Sequence, residues 1–446
     1  MVDIRPFRGL QYNPDHAGHL SEVICPPYDI ISHEEQQSFY RNSPYNVIRL
    51  ELGEEFPSDS PQNNRYTRSA GLLNDWLEEQ ILVQDETPAF YVTEHRFVHR
   101  DRPKNRWDVT TALRLEDWST GKIRPHEDIL KTPAEDRLNL LRACAVNISP
   151  VLGMLCFEDR ELSSMLAKLV EGKEASRSVV DNYNAEHSMW ILNDEASIHN
   201  LSELCSDKAL YIIDGHHRYT TSLDYQKEQN INYGASDTRR GADFIMMNLT
   251  DADDPGLLML PTHRLIRLSL KNIPETRVRL EEVFHITRLQ RFGSTPSDVL
   301  ETWLNVMEEE GKKQRVIGVY GLYDDNFCLL FPRNENSLMG RLPVERSEAW
   351  KKLDVSVLHW VVLQGVMGIN TPIDEGGSVT FTRDALEAVE QVDVGNYELA
   401  FILNPMPSSD IISVADVSDR MPQKSTYFYP KPPTGLVMNP LWCNSL

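Results

Sequence analysis

The sequence Leu210-Tyr211-Ile212-Ile213-Asp214-Gly215-His216-His217-Arg218-Tyr219 joins a short apolar run to a polar turn. The apolar, partly β-branched residues predict a buried strand, and Leu223 and Tyr225 predict a helix after the turn. Gly215 allows a positive φ or a close backbone approach, and the helix start presents N–H groups to an anion. Polar side chains in this position predict a functional site.

Structural roles are an alternative for each of these residues taken singly. Asp214 is a suitable helix cap, Gly215 a turn residue, and His216 and His217 are of a type often found hydrogen-bonded in a core. Together with Arg218, however, they place more polar groups at one strand end than a turn requires. The set therefore favours function over structure alone.

Length and composition limit the class of protein. The chain has 446 residues, of which 41% are hydrophobic and 25% charged, as in ordinary globular proteins of two or three domains. Its net charge of −22 argues against nucleic acid or an acidic membrane as partner, apart from a local basic pocket. No segment is long and apolar enough for a membrane span, and the N-terminus lacks a signal-peptide core, so we expect a cytoplasmic protein.

Helices and strands alternate along the sequence, which predicts a mixed α/β fold. We place a first, catalytic domain at residues 1–268, an α+β domain at 269–404, and a tail at 405–446 that packs back on the first domain. Dinucleotide-binding and P-loop glycine motifs are absent from the sequence. The cysteines form no Cys-x-x-Cys pair, so we expect them to be reduced and structural; they are residues 25, 144, 156, 205, 328 and 443.

Two further stretches carry unexplained polar residues. Thr132 and Glu135 form a capping-box pattern, which places Arg137 one turn into a helix and His126-Glu127 in the loop before it. Arg100 to Trp107 is interpreted as a charged loop between two strands. Near the C-terminus, Lys424 and Ser425 lie in an aromatic segment that is either a strand against the main domain or a lid over an anionic ligand.

Several motifs together resemble one family of bacterial and archaeal proteins, catalogued as domain of unknown function ten-fifteen (DUF1015). The motifs are Pro26-Pro27-Tyr28-Asp29, Tyr45-Asn46-Val47-Ile48-Arg49-Leu50, His126-Glu127, Asp214 to Tyr219, Pro261-Thr262-His263-Arg264 and Met421 to Pro430. The resemblance covers nearly the whole chain. The Asp-Gly-His-His-Arg turn also resembles the nucleotide-phosphate turn of the ParB/sulfiredoxin-like superfamily, which implies a ParB/sulfiredoxin-like mixed-sheet core.

That superfamily includes kinases of free L-serine, so the resemblance implies a small-molecule kinase that uses ATP or ADP with Mg²⁺ to phosphorylate serine or a similar metabolite. Gly215, His216, His217 and Arg218 would hold the phosphates by analogy with that turn. Phosphoryl transfer also needs cations, a carboxylate-held metal and a base.

We assign these remaining roles from the residue types. Arg137 or Lys424 would neutralise charge, Asp214 would bind Mg²⁺ or orient the hydroxyl, and Glu127 would be the base. His217 is grouped with Glu127 and Asp214 as catalytic.

Two other functions remain open at this stage. One is a metal-dependent phosphoester hydrolase with Asp214, His216, His217 and His263 as ligands, although adjacent histidines at a helix start diverge by about 100°. The other is a nucleotide-binding sensor without catalysis. The second domain carries no motif, so it either completes the substrate pocket or forms a homodimer.

Overall fold

The computed structural model describes residues 2–127, 131–233, 241–268, 272–290, 293, 295–323, 326–369, 377–422 and 424–442. The chain forms two compact units. The first unit comprises Met1–Pro125, Ile129–Leu258 and Tyr429–Leu446, and the second comprises His126–Asp128 and Met259–Phe428. The three domains predicted from the sequence stay a proposal.

A mixed nine-stranded sheet forms the centre of the first unit. The strands of this unit up to residue 258 are β1 Ile4–Arg5, β2 Leu10–Tyr12, β3 Leu82–Gln84, β4 Phe90–His99, β5 Arg102–Arg114, β6 Ile123–Pro125, β7 Val146–Asn147, β8 Val151–Leu155, β9 Arg177–Val180, β10 Glu186–Leu192, β11 Leu210–Asp214 and β12 Phe244–Asp251. The sheet order is β6-β11-β8-β12-β5-β4-β10-β9, with β1 beside β5. The pairs β6–β11 and β8–β12 are parallel and the others antiparallel, which confirms the predicted mixed α/β fold.

The helices of the first unit pack in two groups. They are α1 Pro14–Ala17, α2 Leu20–Val23, α3 His33–Asn42, α4 Ile48–Glu51, α5 Arg65–Glu78, α6 Lys131–Cys144, α7 Glu161–Val170, α8 Glu195–Ser206 and α9 His216–Tyr233, with short 3₁₀ segments at Tyr28–Ile30, Trp118–Thr120, Glu158–Arg160 and Gly241–Asp243. Helices α7, α8 and α9 place apolar residues in the core of this sheet, whereas α1 to α6 form a second apolar cluster with β2, β3 and β7. Leu162 and Leu166 of α7, Leu201 of α8 and Tyr219 of α9 lie in one apolar cluster with the sheet. The predicted helix that carries Arg137 is confirmed as α6, whereas the side chain of the predicted cap Thr132 lies outside the described residues.

The interpretation of Arg100 to Trp107 as a charged loop was wrong. Strand β5 begins at Arg102 and pairs with β4 from His99↔Arg102 onward. Positive φ angles at Arg100 and Asp101 make the turn between the two strands. A charged stretch can form this strand because its inward-facing Arg106 and Asp108, both fully buried, neutralise each other.

The second unit contains a six-stranded antiparallel sheet in the order β15-β17-β16-β19-β14-β18. The strands after residue 257 are β13 Leu258–Pro261, β14 His263–Ile266, β15 Phe284–Leu289, β16 Ile317–Tyr323, β17 Asn326–Pro332, β18 Val379–Thr382, β19 Leu399–Ile402, β20 Thr426–Tyr429 and β21 Asn439–Pro440. Of these, β21 belongs to the first unit, where it pairs with β7. The helices are α10 Ile273–Val283, α11 Pro296–Gly311, α12 Glu335–Met339, α13 Glu348–Lys351, α14 Asp354–Val357, α15 Ala385–Asp393 and α16 Ser408–Asp416, with a π-helical segment at Leu358–Val366. Trp303, Met307 and Phe327 are central to its core.

Two predictions about the whole chain can be compared with the described residues. Among them, no helix combines the length and apolar character that a membrane crossing would need. Among the described residues, the cysteines at 25, 144, 156, 205 and 328 form no disulfide, and burial raises the pKa of those at 25, 144, 205 and 328. The sixth, Cys443, lies outside the described residues.

Candidate functional site

The polar turn predicted at residues 214–218 lies where β11 ends and α9 begins. The register of β11 against β8 shifts between Ile212 and Asp214, and such a bulge re-aims the side chain that follows it. Gly215 has a φ of 83°, and a Cβ there would lie 2.9 Å from Nε of Arg218. Glycine is therefore needed both for the backbone angle and for the Arg218 side chain folded over it.

Asp214 is buried between two cations. Its Oδ1 accepts a hydrogen bond from Nζ of Lys431, and its Oδ2 accepts one from Nη2 of Arg218 at 2.7 Å. Burial alone would raise the pKa of Asp214, but the charges of Lys431 and Arg218 lower it to about 2. The carboxylate is therefore ionised and holds both cations in place.

Arg218 is 8% exposed and bonds on two sides of the turn. Besides its ion pair with Asp214, its Nη1 donates to the carbonyl of Pro150. Its buried Nε has no hydrogen-bond acceptor among the described residues. A buried donor without a partner is costly in free energy, so the Nε–H of this guanidinium is suited to donate a hydrogen bond to a polar or anionic ligand.

Lys431 reaches the turn from the C-terminal segment. Thr434 pairs with Cys25 through backbone hydrogen bonds of 2.8 and 3.2 Å, which lays this segment beside the Pro26–Asp29 motif. Nζ of Lys431 lies 3.9 Å from Oδ2 of Asp29, whose side chain is 36% exposed. From the sequence, Lys424 is the predicted cation of the tail. Lys431, enclosed by prolines, is the lysine that contacts Asp214.

A second guanidinium lies near the turn. Nη1 of Arg137 donates to the carbonyl of Glu51 at 2.8 Å, and its Nε donates to Asp136 at 2.7 Å. The guanidinium carbon lies 4.1 Å from the ring centre of Tyr28, in cation–π geometry. Burial raises the pKa of Tyr28 to about 12, although Arg137 and Arg218 act to lower it. Arg137 is thus fixed by its partners and keeps its charge.

Arg137 and Arg218 line the same cavity of about 40 Å³, together with Glu51 and Ser149. Oγ of Ser149 donates to Oε1 of Glu51 at 2.7 Å, which fixes that carboxylate. The structure therefore places Arg137 beside Arg218 of the turn, and the charge-neutralising role predicted for Arg137 stays a prediction. We call Arg137, Arg218 and Lys431 the cation cluster.

The predicted site residues divide between the two units. Asp214, Gly215, His216, His217, Arg218 and Arg137 lie in the first unit, with His216 buried and close enough to Asp214 to help lower its pKa. Glu127 and Lys424 lie in the second unit, around Arg264. Glu127 forms an isolated bridge with Met421, and the carbonyl of Lys424 accepts from Nη2 of Arg264 at 3.1 Å.

In that second group, Arg264 donates hydrogen bonds to the carbonyls of Thr262 and Lys424. Burial lowers its pKa to about 9, while the Glu127 charge acts to raise it. His126 joins the group, with its Nε2 3.0 Å from Oγ1 of Thr426 and 3.9 Å from Oε1 of Glu127. The His-Glu, Pro-Thr-His-Arg and C-terminal motifs therefore meet inside one unit.

Asp214 does not fit the predicted role of a magnesium ligand. Both of its oxygens are bound to cationic nitrogens, and a metal would have to displace Lys431 or Arg218. Nδ1 of His263, the third histidine considered as a ligand, accepts the Leu403 N–H at 3.3 Å. Across the part of the chain that the structure describes, no three His, Cys, Asp or Glu side chains are grouped to hold a metal.

The fold and site define a mixed α/β protein with a buried cation cluster at a strand-to-helix turn. The chain belongs to the family described as protein of unknown function, DUF1015, whose model matches residues 4–356. This confirms the family predicted from the motifs. No protein of curated function matches the chain in sequence.

Solved structures resemble the chain only distantly. A free serine kinase in complex with AMP is 13% identical, with a TM-score of 0.32 over 71% of this chain and 89% of the other. A conserved hypothetical protein from Pyrococcus furiosus is 11% identical, with a TM-score of 0.32 over 70% and 88%. SbnI from Staphylococcus aureus, with a C-terminal truncation, is 12% identical, with a TM-score of 0.31 over 74% and 87%. Likeness at this level carries no argument about function.

The close approach of Arg218 to Gly215 can be tested by a methyl group. We expect Gly215→Ala to lower the free energy of unfolding by about 2 kcal/mol or more, because φ is positive and the new Cβ meets the guanidinium. Gly172→Ala is the matched control, since Gly172 has a φ of 72° in open space and should lose only about 1 kcal/mol. Urea unfolding measures both, and equal losses would contradict the close approach.

The ion pairs of Asp214 make the free energy of unfolding depend on pH in the acid range. Because the folded pKa is about 2, below the ordinary 3.8, Asp214 stabilises the fold above about pH 4 and loses that contribution as pH falls toward 2. Asp214→Asn should lower stability at pH 7 by about 3 kcal/mol, since it leaves two buried cations with a neutral partner, and should flatten the acid dependence. Urea unfolding from about pH 7 to 2 measures this. The exposed control Asp75→Asn should keep the wild-type profile, and an unchanged profile in Asp214→Asn would refute the assignment.

Proposed function

We propose that the protein is a small-molecule kinase that transfers a phosphoryl group from ATP or ADP to the hydroxyl of free L-serine or a similar small metabolite. The observation that carries the proposal is the cation cluster at the start of α9. Phosphoryl transfer requires positive groups held around the moving phosphate before reaction. Arg218 and Lys431 meet that requirement through Asp214, which binds both of them.

The turn would hold the phosphates of the nucleotide. Gly215 lets the backbone approach a ligand closely, and the N-terminus of the 18-residue helix α9 favours negative charge. Arg218 and Lys431 would contact phosphate oxygens, and Arg137 would neutralise charge that develops during transfer. His216 and His217, as the first residues of α9, would add hydrogen-bond donors. In this proposal Asp214 positions the two cations and does not bind a metal.

The transfer step needs a base. The oxygen of the acceptor hydroxyl attacks the terminal phosphorus, the bond between that phosphorus and the nucleotide oxygen breaks, and its electron pair leaves with the nucleotide. The hydroxyl proton passes to a carboxylate. Glu127 is the candidate from the sequence. Within the first unit, Asp29 is a second candidate, because its carboxylate is partly exposed and lies 3.9 Å from Nζ of Lys431.

A direct assay tests the proposal. Purified protein is incubated with Mg²⁺ and ATP or ADP and a panel of free amino acids, and O-phosphoserine is detected by mass spectrometry. We expect O-phosphoserine with the wild type. Its rate of formation should fall by a factor of about 100 or more in Lys431→Met, Arg218→Ala or His217→Ala, since each substitution removes a proposed phosphate contact. The Lys424→Met variant removes the other lysine of the tail and should keep activity if Lys431 is the phosphate contact.

Nucleotide binding measured by calorimetry separates the outcomes. Binding without transfer to any acceptor would replace the kinase proposal by a nucleotide sensor. Absence of both binding and transfer would refute the phosphate site altogether.

The two candidate bases, Glu127 and Asp29, can be distinguished by which substitution lowers kcat. If Glu127 takes the hydroxyl proton, Glu127→Gln should lower kcat by a factor of about 100 or more while nucleotide binding is kept, and Asp29→Asn should have a small effect. If Asp29 is the base, the two variants exchange roles. Steady-state kinetics with calorimetric binding measures both. Full activity in each variant would exclude both carboxylates as the base.

A further inference from the structure

A row of buried polar side chains crosses the sheet of the first unit away from the turn. His187 of β10 pairs with His95 of β4, and His95 pairs with Arg106 of β5, so the three side chains lie side by side on one face. The Nδ1 atoms of His187 and His95 are 2.6 Å apart, and Nε2 of His95 is 3.0 Å from Oδ2 of Asp108. Each of these four residues is at most 1% exposed.

The row has one end near solvent and one at the segment that carries Lys431. At the outer end, Nε2 of His187 lies 3.0 Å from Oδ2 of Asp181, whose side chain is 17% exposed. At the inner end, Arg106 binds Asp108 through two nitrogens and donates from Nη1 to the carbonyl of Pro430, the residue before Lys431. We call Asp181, His187, His95, Asp108 and Arg106 the histidine chain.

The contacts of the histidine chain fix its number of protons. Three short contacts join Asp181, His187, His95 and Asp108, and each needs one hydrogen to be a hydrogen bond. Two neutral imidazoles supply only two ring hydrogens, and an ionised carboxylate supplies none. The third hydrogen therefore makes one imidazole a cation or protonates one carboxylate.

The electrostatics of the neighbours locate this proton. Burial opposes ionisation of both carboxyls, but Arg106 and His95 hold the pKa of Asp108 well below its usual range, and His187 lowers the pKa of Asp181. Both carboxyls are then ionised. Burial lowers the pKa of His95 to about 4, so His95 is not the ring that carries the extra proton. Outside the histidine contacts, Asp254 is a further acidic group near Asp108. Burial raises the pKa of Asp254, helped by the charge of Asp108 and opposed by the hydrogen bonds that Asp254 accepts.

We propose that the histidine chain holds one extra proton and that, in this protonated form, it positions Lys431 through Arg106 and the Pro430 carbonyl. With this proton, Arg106 and one imidazolium balance the charges of Asp108 and Asp181. Without it, two acceptors face each other at one contact and the buried group keeps an uncompensated negative charge, which is costly. One neighbour must then move, and the movement reaches the Lys431 segment. The consequence for catalysis rests on the proposed function.

A single substitution separates this proposal from a merely structural role. Oδ1 of Asp181 accepts the N–H groups of Tyr183 and Ala185, so an asparagine there would keep its oxygen on the backbone and turn its NH₂ group toward His187. That amide supplies the third hydrogen itself, and both imidazoles then stay neutral. Asp181→Asn should therefore complete the chain without the extra proton and make it insensitive to pH.

The measurements use the full chain. Nitrogen-15 NMR of labelled histidines between about pH 6 and 9 should show an imidazolium in the wild type that loses its proton as pH rises, and should not show it in Asp181→Asn. Amide exchange at Lys431, corrected for its intrinsic pH dependence, should accelerate on that deprotonation in the wild type and stay slow in the variant. This amide is isolated because residues 430, 432 and 433 are prolines. The exposed control Asp207→Asn removes the same charge and should behave as the wild type.

Turnover gives an independent readout. If the kinase activity is found, its kcat should fall on the alkaline side of the wild-type profile and persist in Asp181→Asn. The proposal is overturned if the wild type carries no imidazolium in this chain at neutral pH, or if Asp181→Asn loosens the Lys431 segment at all pH values. Because NMR and amide exchange need no substrate, failure of the kinase assay alone leaves these two tests decisive.

Discussion

The ion pairs of Asp214 with Lys431 and Arg218 are the interaction on which the rest of the site depends. Each partner is buried, and a buried charge is stable only beside an opposite charge. Asp214 and Lys431 are 217 positions apart in the sequence, so this carboxylate requires the C-terminal segment to return to the end of β11. The same carboxylate bends Arg218 back over Gly215, which explains why the turn needs a residue without a side chain.

The local parts of this arrangement were predictable, and the distant contacts were not. The apolar run before Asp214 and the helical spacing after it specify the strand, the turn and the helix within about fifteen residues. Lys431 was missed because nothing in the spacing of a proline-rich tail indicates which buried carboxylate it meets. The polar neighbours of Lys424 favoured it as the predicted cation. The position of Lys431 is fixed by burial and by the prolines on both sides of it.

Charged composition misled the interpretation of residues 100–107 for a related reason. A run with several arginines and a lysine is typical of a solvated loop, and only partners from other parts of the chain make it a buried strand. Those partners are His95, one strand away, and the Pro430 carbonyl, more than 300 positions away. Arg106 and Asp108 thus follow the alternation of a strand, but their burial depends on pairing that no local pattern contains.

Carboxylates that neutralise a cation cluster affect binding and catalysis differently. Because Asp214 competes with an anionic ligand for Arg218 and Lys431, it lowers the affinity of these two cations for that ligand. The site is therefore poorly suited to binding a nucleotide tightly. By fixing both cations before the ligand arrives, Asp214 removes the reorganisation that charge development would otherwise require. In the proposed kinase, the cluster would therefore stabilise the transition state more than the bound nucleotide. This balance favours transfer over sensing, and it makes the position of Lys431, held by Asp214 at one end and by Arg106 through Pro430 at the other, the feature on which the rate would depend.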